Sequence, residues 1–278
     1  MMKLKEFGKT GRKVSELGMG TYYDPLWIAT GFLGWKRGWA EKVEAMKTGL
    51  DLGVTLLDTA EIYQSEDLVA KALAGRRRDE VFVATKAWSN HLHREDLVRS
   101  CEKSLTRLGV SYLDLYQIHF PNPRVPIRET MEGMEELVRR GKLLNVGVSN
   151  FNLHELEEAN SALPRSQLRS IQLDYNLVQR RVERDIIPYC NREGLALLAY
   201  YPLAHGSLAS DYRLRGVASR HGKTQSQVAL SWLMREGNVF PIPRASKLMH
   251  VLEDVGASGW DLNNEDIAEL DVRFPASA

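Results

Sequence analysis

The 278-residue sequence is poor in cysteine, with only Cys101 and Cys190, and both fall in patterns typical of helices. A disulfide-stabilised scaffold is therefore not expected, and a reducing compartment suits the composition. No apolar run approaches the roughly 20 uncharged residues of a membrane-spanning helix. Residues 1–13 also lack an apolar stretch followed by a cleavage site. We therefore expect a cytoplasmic protein that does not associate with a membrane.

The sequence has no excess of charge of one sign. Lys and Arg total 37 and Asp and Glu total 36, for a net charge of +1. Nucleic-acid binding depends on a basic surface that neutralises phosphates. The basic cluster at residues 76–78 is followed directly by two acids, which is typical of a solvated turn. We therefore expect a small-molecule partner rather than a nucleic acid.

A glycine-rich dinucleotide-binding turn is also missing. The segment "GMGTYY" (18–23) contains Gly-x-Gly but has no third glycine, and no helical pattern follows it promptly. The Rossmann fingerprint needs all three glycines between a strand and a helix. A doubly wound open sheet is therefore disfavoured.

The residues that are present form a regular alternation. The segments "KLKEF" and "RKVSEL" alternate around the turn signal "GKTG" and predict a β-hairpin. Short apolar runs typical of buried parallel strands then alternate with amphipathic helical patterns. These runs lie at residues 17–21, 55–59, 81–86, 113–119, 143–149, 171–175, 196–200 and 239–242. Eight such units predict an α/β fold, a (β/α)8 TIM barrel with an N-terminal β-hairpin. No linker composition divides residues 1–278, so we expect a single domain.

Ionisable side chains end three of these strands. Asp58, Lys86 and His119 each follow an apolar run, and Tyr63 lies in the loop after Asp58. Taken singly, such an Asp is often a helix cap, such a Lys a surface residue and such a His a structural group. Since the C-terminal ends of barrel strands meet at one rim, together they predict a catalytic site.

The predicted chemistry is proton transfer by the tyrosine. A free phenol has a pKa near ~10 and is a weak acid at neutral pH. We expect the Lys86 ammonium to lower the pKa of Tyr63, and Asp58 to keep Lys86 charged. His119 is placed to hydrogen-bond the phenol or a substrate oxygen. Such a tyrosine suits carbonyl reduction in which a cofactor supplies the hydride.

Four ordered segments resemble the signatures of the aldo-keto reductase superfamily. They are "LDLGVTLLDTAEIY" (50–63), "LDLYQIH" (113–119), "NVGVSNF" (145–151) and "IPRASK" (242–247). The resemblance extends over essentially the whole chain. It implies reversible NAD(P)H-dependent reduction of aldehydes or ketones, a nicotinamide cofactor bound without a Rossmann fold, and a tetrad of Asp58, Tyr63, Lys86 and His119. In that tetrad Tyr63 is the proton donor.

The resemblance also implies the cofactor contacts. Ser149, Asn150 and Gln172 are expected at the nicotinamide carboxamide, Tyr200 against its ring, and the segment 202–208 around the pyrophosphate. Arg244 aligns with a position that contacts the adenosine 2′-phosphate, so NADPH is favoured over NADH. The full set is Gly20, Thr21, Asp58, Ser149, Asn150, Gln172, Tyr200, Leu203, Gly206, Ser207, Arg244, Ala245, Ser246, His250, Glu253 and Asp254.

Three positions in or beside this set depart from the family pattern. Tyr201 stands where many members have serine, and His250 stands where many have arginine or glutamine. Asp254 replaces a common asparagine, and a carboxylate cannot donate a hydrogen bond to adenine N7. We therefore expect weaker or less selective adenosine binding.

The segment 22–39 is long and aromatic for a loop after the first barrel strand. Its rings either pack against the barrel or form a wall of the substrate pocket. The predicted pocket consists of Tyr22, Trp27, Trp88, His119 and Phe120.

Two alternatives stay open at this point. "HLH" (91–93) with His119 and Asp58 would suit a metal-dependent barrel hydrolase, although no metal is expected. A nucleotide-binding regulatory barrel is the second alternative. The sequence leaves the oligomeric state open, and a monomer is compatible with it.

Overall fold

A computed structural model describes residues 1–276. A two-stranded antiparallel hairpin precedes a sheet of eight strands, in which every neighbouring pair is parallel. The predicted hairpin and the predicted (β/α)8 barrel are both confirmed. The strands are β1 (Leu4–Glu6), β2 (Lys13–Ser15), β3 (Gly18–Gly20), β4 (Leu56–Asp58), β5 (Phe82–Ala87), β6 (Leu113–Ile118), β7 (Leu143–Ser149), β8 (Leu168–Asp174), β9 (Ala196–Tyr200) and β10 (Val239–Pro241).

Helices surround the strands. They are α1 (Pro25–Phe32), α2 (Trp39–Asp51), α3 (Glu66–Leu73), α4 (Arg94–Leu108), α5 (Ile127–Arg139), α6 (Leu153–Ser161), α7 (Ile186–Glu193), α8 (Arg215–His221), α9 (Gln225–Met234), α10 (Leu248–Val255) and α11 (Asn264–Arg273). Within the described residues 1–276, no helix is long and apolar enough to span a bilayer.

Helix α1 lies inside the segment expected to be an aromatic loop. The Asp24 carboxylate accepts a hydrogen bond from the Trp27 N–H at 2.7 Å, and Pro25 occupies the first turn. An acidic N-cap followed by proline is a favourable helix start, because the carboxylate accepts from a free N–H of the first turn and proline has no N–H to leave unpaired. The segment is therefore partly helical.

The hairpin closes the N-terminal end of the barrel. Phe7 is buried against Phe82 and Phe240, with ring centroids 4.6 and 5.1 Å apart. Lys5 donates hydrogen bonds to the carbonyl oxygens of Met234, Glu236 and Val239 at 2.9–3.1 Å. These contacts fill the bottom of the barrel, so the opposite rim is left for the functional groups.

The strand register places those groups side by side. Gly20 pairs with Asp58, Lys86 with Gln117, and Ser149 with Gln172. The barrel closes at Gly20. Its backbone N–H donates to Pro243 O at 2.8 Å, and its carbonyl oxygen accepts from Ala245 N at 3.0 Å. A Cβ at position 20 would lie 2.9 Å from Ile242 O, so this closure requires glycine.

Candidate active site

A buried ion pair lies at the barrel rim. Lys86 Nζ is 2.7 Å from Asp58 Oδ2 and 2.8 Å from Thr59 O, and the two residues are 0% and 2% exposed. Gln172 Nε2 donates to the other carboxylate oxygen of Asp58 at 2.8 Å. Burial lowers the pKa of Lys86, while the Asp58 carboxylate opposes that shift. The pair therefore holds a charged lysine in an apolar surrounding.

Tyr63 and His119 lie beside this pair. The Tyr63 hydroxyl is 3.2 Å from His119 Nε2, and Lys86 Nζ lies 5.1 Å from the Tyr63 ring centroid. Burial, followed by the Asp58 carboxylate, raises the pKa of Tyr63 well above its usual value. The net shift is opposite to the expected lowering, because desolvation of the phenolate and the negative charge of Asp58 outweigh the attraction of the Lys86 ammonium.

His119 is a neutral group in this setting. Burial, followed by the charge of Lys86, lowers the pKa of His119 to about 2. Within residues 1–276 its Nδ1 atom has no hydrogen-bond partner, whereas Nε2 faces the Tyr63 hydroxyl. A neutral imidazole next to a protonated phenol can bind a carbonyl oxygen without adding a positive charge.

Glu61 connects the tyrosine segment to the next loop, although the sequence suggested only a local polar role for it. It lies in a short 3-10 helix, Glu61–Tyr63. Its carboxylate accepts hydrogen bonds from the Trp88 backbone N–H, from Ser100 Oγ, and from His91 Nδ1 at 2.9 Å. It therefore fixes the backbone that carries Trp88. These contacts join positions 27 to 39 residues apart, which no local sequence pattern reveals.

Aromatic rings surround the catalytic groups. Tyr22 packs edge-on against Tyr63 at 5.3 Å between centroids. Trp88 packs edge-on against His119 at 5.2 Å, and Phe120 stacks on His119 at 5.1 Å. Tyr22, Trp88, His119 and Phe120 therefore lie together with Tyr63.

Trp27 requires a correction. It is 4% exposed, packs against Tyr23 and donates its indole N–H to Tyr63 O at 3.0 Å. It does not face the cavity, because helix α1 turns it inward. Trp27 therefore supports the Tyr63 backbone from behind.

The polar ends of β7 and β8 hydrogen-bond to one another. Ser149 Oγ donates to Gln172 O at 3.0 Å, and Asn150 Nδ2 donates to His119 O at 2.9 Å. Asn150 Oδ1 accepts from the Tyr200 hydroxyl at 2.8 Å, and Asn150 has φ +62°. A positive φ at a non-glycine residue is strained and is typical of ligand sites.

A cavity of about 500 Å³ opens next to these groups. Asp58, Tyr63 and Gln172 border it at the barrel mouth, and His250, Glu253 and Asp254 border it from helix α10. The other lining residues include Gly20, Tyr22, Tyr200, Tyr201, Leu203, His205, Gly206, Ser226 and Arg244. A volume of this size suits a small-molecule or cofactor site.

The predicted cofactor residues divide into two groups. Ten of them line the cavity, whereas six lie outside its lining. Thr21 is buried and donates to Asp58 O at 3.1 Å, Ser207 is exposed and donates to Ala204 O at 2.8 Å, and Ala245 is buried in the barrel closure. The remaining three are Ser149, Asn150 and Ser246. The Asn150 amide is bonded to His119 and Tyr200.

The loop after β9 has an unusual backbone. Tyr201, Ala204 and His205 all have positive φ values between +47° and +56°, and Gly206 has φ +91°. His205 packs on Tyr201 with ring centroids 3.8 Å apart. Across the cavity from this loop, Arg244 Nη1 donates to Tyr23 O at 2.5 Å.

The two histidines considered for a metal site are not assembled into one. His91 Nδ1 bonds to Glu61 at 2.9 Å, and His93 Nδ1 bonds to Glu129 at 3.0 Å. Both bonds are separate from His119, so this geometry does not favour the hydrolase alternative.

The chain is similar in sequence to known reductases. A model of the aldo/keto reductase family matches residues 30–272. Methylglyoxal reductase YeaE from Escherichia coli is 32% identical over 243 residues, which is 84% of this chain and 85% of that protein. Glyoxal reductase from Bacillus subtilis is 32% identical over 248 residues, 88% of each chain.

Solved structures agree in fold. A thermostable aldo-keto reductase in complex with the inhibitor epalrestat superposes with a TM-score of 0.88 at 37% identity, over 98% of this chain and 99% of that chain. An aldo-keto reductase from Klebsiella pneumoniae in complex with NADPH also gives a TM-score of 0.88, at 32% identity over 100% of this chain and 96% of that chain.

Proposed function

The chain belongs to the aldo/keto reductase family and is an NADPH-dependent carbonyl reductase, and from this premise we propose which residues act and which carbonyl compounds they reduce. Tyr63 donates the proton, and His119 binds the carbonyl oxygen. Lys86 stabilises the phenolate of Tyr63, and Asp58 keeps Lys86 charged. The substrates are small uncharged aldehydes and ketones, in particular 2-oxoaldehydes. The observation that carries this proposal is the buried Asp58–Lys86 pair beside the Tyr63–His119 contact.

The proton moves from Tyr63 to the substrate oxygen. The raised pKa of Tyr63 keeps the phenol protonated at neutral pH, which is the state that a proton donor requires. When bound, the reduced nicotinamide supplies a hydride to the carbonyl carbon. As negative charge develops on the carbonyl oxygen, the phenol proton neutralises it. The phenolate that remains is stabilised by the Lys86 ammonium, 5.1 Å from the ring centroid.

Cofactor binding is assigned to the residues that line the cavity. Gly20 allows close backbone approach at the barrel rim, and the Tyr200 ring lies beside the nicotinamide end. The loop with Leu203 and Gly206 turns its backbone along the cavity, which suits a pyrophosphate. Arg244 supplies a guanidinium for the 2′-phosphate. The cavity volume and the polar side chains that line it fit a dinucleotide.

The substrate class follows from the side chains around Tyr63. Tyr22, Trp88 and Phe120 present aromatic surfaces there. The Lys86 ammonium, 5.1 Å from the Tyr63 ring centroid, is already paired with Asp58. A substrate carboxylate would therefore lose water without gaining a partner. The names of two relatives, a methylglyoxal reductase and a glyoxal reductase, point to the same class of compound.

A matched pair of substrates tests this proposal. Methylglyoxal and glyoxylate both carry an aldehyde, and they differ in an acetyl group against a carboxylate. NADPH consumption should proceed with a kcat/KM for methylglyoxal at least about tenfold above that for glyoxylate, since the charge must be desolvated. Equal efficiency on both would refute the uncharged-substrate proposal. No consumption with either, by a protein that binds NADPH, would refute the assignment of 2-oxoaldehydes altogether.

We further propose that residues 1–278 work as one catalytic domain in the cytoplasm. The hairpin contacts of Phe7 and Lys5 at the base of the barrel support a single domain. The buried thiols of Cys101 and Cys190 suit a reducing compartment.

A further inference from the structure

Asp254 is a buried acid without a partner. It lies on α10, is 7% exposed and borders the cavity. Within residues 1–276 no hydrogen-bond donor or cation contacts its carboxyl group. By contrast, the buried acids Asp58 and Glu66 each pair with a cation, Lys86 and Arg107 respectively. An unpaired buried carboxyl that borders a cavity points to a ligand as its partner.

The surroundings of Asp254 disfavour its charged form. Glu253 precedes it on α10, and the face of α2 that packs against α10 contributes Gly49 next to Val251. Burial, followed by the charge of Glu253, raises the pKa of Asp254 to about 8. Helix α2 carries Glu41, Lys42, Glu44, Lys47 and Asp51, α10 itself carries His250, and the neighbouring loops carry Tyr201, His205, Lys223, Arg244 and Lys247. None of these side chains bonds to Asp254 among the described residues.

The position of Asp254 on α10 determines which end of the cofactor it can contact. Tyr63 borders the same cavity at the barrel mouth, where the nicotinamide must lie in order to react. Helix α10 belongs to the outer layer and packs against α2 and α9. The part of a dinucleotide that reaches Asp254 is therefore the adenosine end, beyond Arg244.

We propose that Asp254 binds the adenine ring as a neutral carboxylic acid, so that nucleotide binding is linked to a proton on this side chain. This rests on the proposed function. A neutral carboxyl has one O–H donor and one carbonyl acceptor. Adenine presents N7 as an acceptor beside the N6 amino group as a donor. The two pairs match, whereas a carboxylate offers acceptors only.

This revises the expectation drawn from the sequence. An aspartate in place of asparagine was expected to lose the hydrogen bond to N7. When the carboxyl keeps its proton, it replaces the asparagine amide with the same donor and acceptor pair. Selectivity for adenine is then retained at neutral pH and is lost at alkaline pH.

Binding of NADP⁺ as a function of pH tests the linkage. The dissociation constant is measured by tryptophan fluorescence for the wild type, for Asp254→Asn and for Glu253→Gln, between about pH 7 and pH 9.5. This pH range lies above the ordinary pKa of a 2′-phosphate, ~6, and that of a histidine side chain, ~6.5. Neither group therefore contributes to the pH slope of the dissociation constant. Thermal melting of each variant confirms that it is folded.

The wild type and Asp254→Asn should bind within about threefold of each other at neutral pH, because both present one donor and one acceptor. Above about pH 8 the wild-type dissociation constant should rise by about tenfold per pH unit, the slope of a single linked proton. Asp254→Asn should show no such rise. Glu253→Gln should keep the rise but with its onset at lower pH, because a charge that helps to raise the pKa of Asp254 is removed. Calorimetry at alkaline pH in two buffers of different ionisation enthalpy should show proton uptake by the wild type alone.

Two results would overturn the inference and leave the proposed function intact. One is tight wild-type binding that does not change with pH, and the other is a pH slope that persists in Asp254→Asn. Loss of binding by folded Asp254→Asn at neutral pH would also overturn it, because it would show that the charged carboxylate is the binding form. Failure of the wild type to bind NADP⁺ at any pH would refute the cofactor site itself.

Discussion

Substitution of Lys86 by methionine separates the structural role of the buried ion pair from its catalytic role. The change removes the ammonium that contacts Asp58 at 2.7 Å and leaves that carboxylate, 2% exposed, with Gln172 at 2.8 Å as its remaining side-chain donor. Breaking one side of a buried pair costs about 3–5 kcal/mol. In a protein of this size, that lowers the melting temperature by roughly 10 °C.

The double variant Lys86→Met with Asp58→Asn is the matched control. It removes the uncompensated charge as well, so it should recover most of the lost stability, since replacing both partners of a buried pair is often nearly neutral. It should not recover activity, because the phenolate of Tyr63 then has no nearby cation. We expect the rate of reduction in both variants to fall by about 10²–10⁴-fold, the usual contribution of general acid catalysis.

Urea unfolding followed by tryptophan fluorescence measures the stability, and the loss of NADPH absorbance in single turnovers with methylglyoxal measures the rate. Lys86→Met that unfolds at the wild-type urea concentration would refute the buried-charge argument. A double variant with wild-type turnover would refute the role of Lys86 in proton transfer.

Three further substitutions or conditions test neighbouring parts of the site. Arg244→Leu should weaken NADPH by about 10–100-fold in fluorescence titrations and change NADH little, because a charge-assisted phosphate contact contributes about 1.5–3 kcal/mol; equal losses for both nucleotides would contradict it. Glu61→Ala frees the Trp88 backbone and should raise KM about fivefold with kcat retained, with partial recovery in Glu61→Gln; a fall in kcat alone would show a different role. The pKa of His119, about 2, keeps its ring neutral from mildly acidic to alkaline pH, so kcat should show no histidine inflection; an inflection near ~6.5 that His119→Gln removes would refute this.

The barrel and the positions of its catalytic groups could be predicted from the sequence, because parallel register leaves little freedom. Once Gly20 pairs with Asp58 and Lys86 pairs with Gln117, the ends of successive strands must meet at one rim. The positions of Tyr63 and His119 after apolar runs already indicated them, and the ordered family motifs supported their roles. The order of apolar runs and polar ends is therefore sufficient to locate the site.

Properties that depend on packing could not be predicted. The direction of the Tyr63 pKa shift follows from how deeply the ring is buried and from its distance to Asp58, which spacing along the chain does not determine. Equally, the sequence cannot tell that Trp27 turns inward while Trp88 packs on His119. Asp254 is informative because no cation pairs with it among the described residues, and only the folded chain reveals that.

One wrong local prediction could have been avoided from the sequence. The segment 22–39 was expected to be a loop, yet Asp24 followed by Pro25 is a recognisable helix start. The many aromatic residues suggested a pocket wall, so the helix start was given too little weight. The error explains the misplacement of Trp27, since the helix determines which way its ring points.

The central claim is that Tyr63 gives up the proton. Single-turnover reduction of methylglyoxal by NADPH-loaded wild type and Tyr63→Phe tests it most directly, because the substitution keeps the ring that packs against Tyr22 and His119 and removes only the hydroxyl. We expect NADPH affinity to stay within about twofold, and the rate of the chemical step to fall by about 10²–10⁴-fold. A Tyr63→Phe protein that binds NADPH normally and keeps the wild-type rate would contradict the account.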